Sequence, residues 1–221
     1  MTTTEIKLNM TDKNIEKNMS RLNKEDTGFT ERNNLLSYAF TKGNQTITTD
    51  SHRALRINQK IENDFTVEDS ERFDKVNNLV KDINEHDYYS LWLSRKDINN
   101  LRKIAKFINS MPADTGSKLI EFHYYINEHS YATVDIHNQG GHNSLFKVEY
   151  NQLLSLENLM LAYEEHEVKT SFNAKYIADL LDFAYDSKIE LLELRISGSR
   201  IKPLLATCKE FDYIALPVRT W

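Results

Sequence analysis

One supersecondary unit recurs three times along this chain, and that recurrence restricts its fold more than any other feature. A strand, an amphipathic helix and further strands follow one another over residues 5–57, 88–150 and 168–221. Each helix carries one apolar stripe that must be covered by strands, and units of this kind reach stability by stacking on one another. Helices on one face of antiparallel sheets make the expected class α+β.

The first unit opens on residues 5–10, where Ile6, Leu8 and Met10 alternate with polar residues as in a half-buried strand. Thr11 and Asp12 supply an N-cap, and Ile15, Met19 and Leu22 recur at helical spacing over residues 12–24. The opposite face holds Lys13, Lys17, Arg21 and Lys24. A polar loop over 25–34 leads to strands at 35–40 and 45–49, turned at Lys42-Gly43-Asn44, and a third at 54–57.

The second unit has a strand over 88–93, Ser94 as cap, and a helix over 95–109 with Ile98, Leu101, Ile104, Ala105 and Ile108 on its apolar face. Arg95, Lys96, Arg102, Lys103 and Lys106 line its other side. Strands are expected at 118–126, 131–136 and 144–150, then a connecting helix at 153–165. The third unit runs from a strand at 168–172 through a helix to three strands, with Phe172, Ile177, Leu180, Leu181, Leu192, Leu194 and Ile196 as its core. It ends on the apolar run Tyr213-Ile214-Ala215-Leu216, a segment that calls for cover or a groove role. Between the first two units, residues 61–87 are strongly charged, with a short helix around 73–83, and read as a surface insertion. The expected division is one domain of two units over 1–150, with a charged insertion near 59–87, and a connecting helix plus the third unit over 151–221.

Composition narrows the chemistry. The net charge of −5 means that any nucleic-acid contact must come from a local basic face. A single cysteine, Cys208, excludes an intrachain disulfide and a cysteine zinc cluster. With no signal peptide and no apolar run of membrane length, the expectation is a cytoplasmic protein without membrane contact. His123, His129, His137 and His142 crowd one span, yet no two share a helix face at metal-ligand spacing. His52 beside Asp50 has the look of an oriented base, but no nucleophile accompanies it. Gly140-Gly141 lacks the following helix that a phosphate cradle needs. The residues give no catalytic constellation, no metal site and no cofactor; a metal-dependent nuclease built on the histidines is the weakest of the readings.

Two separated stretches carry a family resemblance. SFNAKYIADLL and IKPLLATCKEFDYIALPVRTW resemble the closing segments of the bacterial DNA polymerase III β subunit, the sliding clamp, whose members often end in Leu-Pro-Val-Arg plus one or two residues. Thr49-Asp50-Ser51-His52-Arg53 resembles that family's Thr-Asp-Gly/Ser-His-Arg-Leu segment, with Ala54 where the family usually has Leu. WLSRKDINNLRKIAKFI sits where the family has a strand ending before a helix. In this comparison the first two units resemble the family's middle domain and the third the last half of its final domain.

The resemblance implies clamp-like repeats of strand–helix–three-strand units, in a ring with helices lining the hole and sheets as the outer wall. It implies a hydrophobic peptide-binding pocket made of Leu35, Thr49, Ser51, His52, Arg53, Leu204, Ile214, Ala215, Leu216, Pro217, Val218 and Arg219. It also implies that Lys13, Lys17, Arg21, Lys24, Arg95, Lys96, Arg102, Lys103 and Lys106 face double-stranded DNA, meeting phosphates without base readout. The function implied is a DNA replication processivity factor that tethers polymerase and other proteins carrying clamp-binding motifs. A clamp loader and self-association into a ring go with it, and a phage or mobile element is a fitting source for so short a clamp. The alternative is a non-ring clamp-like module that binds or sequesters those motifs.

Overall fold

In the computed structural model, residues 8–23, 39–62, 66–84, 88–111, 118–125, 131–138, 141–149, 168–197 and 201–218 are described. Among the described residues, four helices form where apolar side chains recur at helical spacing. Helix α1 (Asp12–Asn23) buries Ile15, Met19 and Leu22, and α2 (Ser70–Asn84) buries Phe73, Val80 and Ile83. Helix α3 (Arg95–Ser110) buries Ile98, Leu101, Ala105 and Ile108, and α4 (Ala174–Asp186) buries Ile177, Leu180, Leu181 and Phe183. Ser94 and Asp97 close a capping box in which each side chain accepts the other's backbone N–H. That satisfies two donors the first turn leaves open.

The strands are β1 (Ala39–Lys42), β2 (Gln45–Thr49), β3 (Arg53–Ile57), β4 (Thr66–Glu68), β5 (Tyr89–Ser94) and β6 (Leu119–Tyr125). They continue as β7 (Tyr131–Asn138), β8 (Gly141–Glu149), β9 (Val168–Asn173), β10 (Leu191–Ile196), β11 (Leu204–Thr207) and β12 (Phe211–Ala215). The turn between β1 and β2 places Gly43 at φ 60°, a left-handed value that glycine adopts without steric cost.

Among the described residues two sheets result: an eight-stranded one in the order β4-β1-β2-β3-β12-β11-β10-β5, and a four-stranded one in the order β8-β7-β6-β9. Among the described pairings only β1 with β4 is parallel. The second and third units exchange their opening strands, β5 edging β10 and β9 edging β6. The first unit joins them by its last strand, β3 lying antiparallel to β12, the last strand of the third. Both sheets therefore draw strands from either side of residue 150.

Strand alternation gives the large sheet two apolar faces. Leu55, Ile57, Leu91, Leu93, Leu194, Leu204, Ala206, Phe211 and Tyr213 share one core with α1, α3, α4 and with Ile120, Phe122 and Phe172 of the smaller sheet. Phe40, Ile47, Ala54, Leu205 and Ile214 point the other way, and α2 covers them. The charged stretch read as an insertion thus supplies an edge strand and the cover of the sheet's outer face. Its Ile61 enters the main core.

The strand expected over 5–10 is absent from residues 8–10, and residues 5–7 lie outside the described part. Leu8 is buried, and its N–H is taken by the Gln59 side chain at 3.4 Å instead of a strand partner. The connecting helix expected over 153–165 and the loop over 25–34 also lie outside the described residues.

Candidate functional site

The contact of β3 with β12 brings the TDSHR stretch beside the chain's last strand. Ala54 lies opposite Ile214 and Arg53 opposite Ala215. The neighbouring ladders extend both rows, with Thr49 opposite Ala54, Leu205 opposite Ile214 and Leu204 opposite Ala215. The result is an outer row, Thr49–Ala54–Ile214–Leu205, on the face that α2 covers. An inner row, Arg53–Ala215–Leu204, faces the helices. The described residues expected to line one pocket are thus brought to one seam but divided between its two faces.

Past β12 the ladder runs on. The Leu216 N–H donates to the His52 carbonyl at 2.8 Å, and the Val218 N–H donates to the Ser171 carbonyl on β9 at 2.8 Å. The tail therefore ties the first unit's strands to both sheets. Leu216 is 37% exposed at the end of the outer face, Ser51 and His52 are exposed beside it, and Pro217 and Val218 are half-buried. Leu35 and Arg219 lie outside the described residues.

The turn from β2 to β3 is built by Asp50. Its Oδ1 accepts the N–H groups of His52 and Arg53, each at 2.9 Å, and its Oδ2 accepts Arg53 Nε at 2.8 Å. The Thr49 hydroxyl donates to the Arg53 carbonyl at 2.7 Å and accepts the Ser51 N–H at 3.2 Å. An aspartate bonding the backbone two and three residues on is an Asx-type turn, which stabilises reversals that side-chain-free backbone would leave unsatisfied. Ser51 takes the left-handed value φ 76° at the apex.

Arg53 supports this turn from beneath. Its side chain is 0% exposed; Nη1 reaches Asp179 of α4 at 2.6 Å, and Nη2 donates to the Arg21 carbonyl of α1 at 3.2 Å. The guanidinium lies 4.4 Å from the centre of the Tyr176 ring. Burial works against its charge, but Tyr213, Asp179 and Asp50 outweigh burial and raise its pKa above the usual arginine value. The Tyr213 hydroxyl, itself pushed up by burial, donates to the Tyr176 carbonyl at 3.0 Å.

The basic residues of α1 and α3 divide into two sets. Lys13, Lys17, Lys96 and Lys103 are exposed. Arg21, Arg102 and Lys106 converge on a single carboxylate, Asp182 of α4, at 3.5, 3.6 and 2.6 Å. Arg95 and Arg102 lie over the Tyr185 ring at 4.7 and 4.1 Å. Three cations around one aspartate leave the cluster net positive. Lys24 lies outside the described residues. Asp182 and Asp179 had no sequence signal beyond their place on a helix, since their partners come from other units.

Among the described residues no group of three or more His, Cys, Asp or Glu could hold a metal ion, and no helix is long and apolar enough to cross a membrane.

No protein-family model matches the sequence, and no curated protein matches it. Solved structures do. The DNA polymerase III β subunit of Thermotoga maritima superposes with a TM-score of 0.58 at 16% identity, over 95% of this chain and 64% of that one. The DNA polymerase sliding clamp of Bacillus subtilis gives 0.57 at 11% identity, over 96% of this chain and 64% of that one. The DNA polymerase III β chain of Streptococcus pneumoniae gives 0.56 at 13% identity, over 100% of this chain and 67% of that one. The chain spans about two thirds of the length of these clamps. Its architecture, an α+β arrangement of strand-exchanged units, is the fold of the DNA polymerase III β sliding clamps.

Proposed function

We propose that this protein is a sliding-clamp-like replication processivity factor that tethers polymerase, or other proteins with clamp-binding motifs, at the seam between β3 and β12. The observation that carries the reading is the 2.8 Å bond from Leu216 to His52, which unites the two stretches of clamp resemblance in one exposed site. Leu216, His52, Ser51 and Thr49 form its accessible end, Pro217 and Val218 flank it, and Leu35 and Arg219 belong to it by resemblance. Arg53, Leu204 and Ala215 act from the inner face by holding the strands in place. The protein acts as an accessory factor without catalysis, in the cytoplasm.

Lys13, Lys17, Lys96 and Lys103 make the DNA-facing surface, with Arg21, Arg102 and Lys106 partly compensated by Asp182; Arg95 and Lys24 belong to the same set. Exposed lysines meet phosphates through counterion release and confer no sequence preference. The organisation we propose keeps two clamp-like units over 1–150 and a connecting helix with the third unit over 151–221, joined by the strand exchange. Copies of the chain close the ring, and a loader opens it.

Fluorescence anisotropy with a labelled peptide carrying a bacterial polymerase's clamp-binding motif tests the tethering. Wild type binds, and Leu216→Asp, which puts a charge on the exposed apolar end, weakens binding at least tenfold with the fold intact by circular dichroism. Equal binding by both proteins would refute the site.

The second reading is a module that captures the same motifs without a ring. Mass in solution separates the two.

A further inference from the structure

The outer row of the seam is already occupied. Ala54, Leu205 and Ile214 pack against Val80 and Ile83 of α2, and Val76 and Tyr88 complete the cluster. Farther along the same helix, Phe73 covers Phe40 and Ile47. Phe73, Val76, Val80 and Ile83 follow one another at three- and four-residue steps, a single stripe of a helix whose remaining residues are polar apart from the exposed Leu79. Phe73, Val80 and Ile83 are buried, so the contact is dry.

Of the polar ties between α2 and the sheet, the ion pair is exposed and the Arg56–Asn77 bond is part-buried. Lys42 meets Asp74 at 2.7 Å between two half-exposed side chains, Arg56 Nη1 donates to Asn77 Oδ1, and the Arg72 guanidinium lies 5.4 Å from the centre of the Phe40 ring. An exposed ion pair such as Lys42–Asp74 contributes little to holding an element in place. What seats α2 is apolar contact with Ala54, Leu205 and Ile214, which is the contact a hydrophobic peptide motif would make on the same face. Leu216 and His52 stay exposed at the end of that face, so the point of approach is open while the floor is covered.

We propose that α2 is a resident occupant of the peptide-binding face, and that a partner's hydrophobic motif engages Ala54, Leu205 and Ile214 by displacing it. This rests on the tethering reading above. An incoming motif first contacts Leu216 and then exchanges with Val80 and Ile83. Its apparent affinity is lowered by the fraction of molecules in which α2 is seated. The device restricts tethering to partners whose motif outcompetes α2, a contest of like for like on one surface.

The test titrates the same labelled clamp-binding peptide against wild type, Val80→Asp/Ile83→Asp and Asp74→Lys/Asn77→Ala, with hydrogen exchange followed over residues 70–84. The double aspartate variant unseats the stripe and binds at least tenfold more tightly than wild type. Asp74→Lys/Asn77→Ala leaves the stripe intact, loosens only the polar ties, and binds about threefold more tightly; it carries the test if the first variant does not fold. In wild type, amides of α2 exchange faster once peptide is bound. Equal affinities with α2 protection unchanged on binding would overturn the proposal and leave the tethering site standing. Absence of binding by all three folded proteins would overturn both.

Discussion

The backbone N–H of Leu216 and the carbonyl of His52 form a 2.8 Å hydrogen bond that makes the end of the chain a continuation of the ladder between β12 and β3. An apolar tail that would otherwise be an aggregation hazard becomes an internal seam, with Leu216 exposed and Pro217 and Val218 half-buried at its end. The first unit is held to the other two by this ladder, by the Arg53 cluster beneath it and by the shared core of α1, α3 and α4.

Arg53 is the strongest single test of that arrangement. Its guanidinium compensates Asp50 and Asp179, whose side chains are 3% and 15% exposed. Arg53→Met leaves both carboxylates without their partner, and removing one member of a buried pair costs about 3–5 kcal/mol. Urea denaturation should show that loss in the midpoint with an unchanged slope. A change below about 1 kcal/mol would mean the cluster does not hold the units together.

Asp182 sets how much positive charge the helix face presents. Asp182→Asn removes the carboxylate on which Arg21, Arg102 and Lys106 converge, and non-specific binding to duplex DNA should tighten at low salt. Lys96→Glu with Lys103→Glu should act oppositely, weakening binding to all sequences alike and reducing the slope of log K against log salt by roughly one for each phosphate no longer neutralised. Anisotropy across a salt series reads both effects. Unchanged binding in the lysine variant would place the DNA surface elsewhere.

Stability should fall on the alkaline side in two stages. Burial pushes the Cys208 thiol up to about 12 in the folded protein, whereas an unfolded cysteine ionises near 8.5. The folded state therefore keeps a proton that the unfolded state releases, so this contribution is complete below about pH 8.5 and is lost as pH rises toward 12. Tyr213, raised by burial, adds a second loss that begins near the ordinary tyrosine value of about 10. Unfolding midpoints between pH 7 and 11 should decline from about pH 9, with Cys208→Ser removing the earlier part of the decline. Cys208 is half-buried, and its raised pKa predicts that it reacts more slowly with a thiol reagent at pH 8 in the folded protein than in the unfolded chain.

Much of this fold is legible in the residues, for local reasons. Gly43 in the β1–β2 turn, Ser94 before α3, the helical spacing of Ile98, Leu101, Ala105 and Ile108, and the alternation of Leu192, Leu194 and Ile196 each depend on near neighbours. Which strand lies beside which does not. Alternation assigns Ala54 and Ile214 to a face, but nothing in either stretch says that they pair, and the exchange of β5 and β9 between units depends on long-range assembly. Helix α2 is easily underestimated because its charge outweighs a stripe of four apolar residues; its meaning appears only once Phe40, Ile47, Ala54, Leu205 and Ile214 are seen on one face needing cover. At the site, the resemblance points to both halves of the seam. It does not distinguish Arg53, Leu204 and Ala215, which face inward, from Thr49, Ile214 and Leu216, because consecutive strand residues point to opposite sides.

The most direct test of the clamp reading is the mass of the native protein in solution, measured by sedimentation equilibrium from low micromolar concentration upward. On the ring reading proposed above, copies of this 25.9 kDa chain associate with one another. The account predicts a discrete species at a whole-number multiple of that mass. A protein that remains at 25.9 kDa at every concentration would contradict the ring.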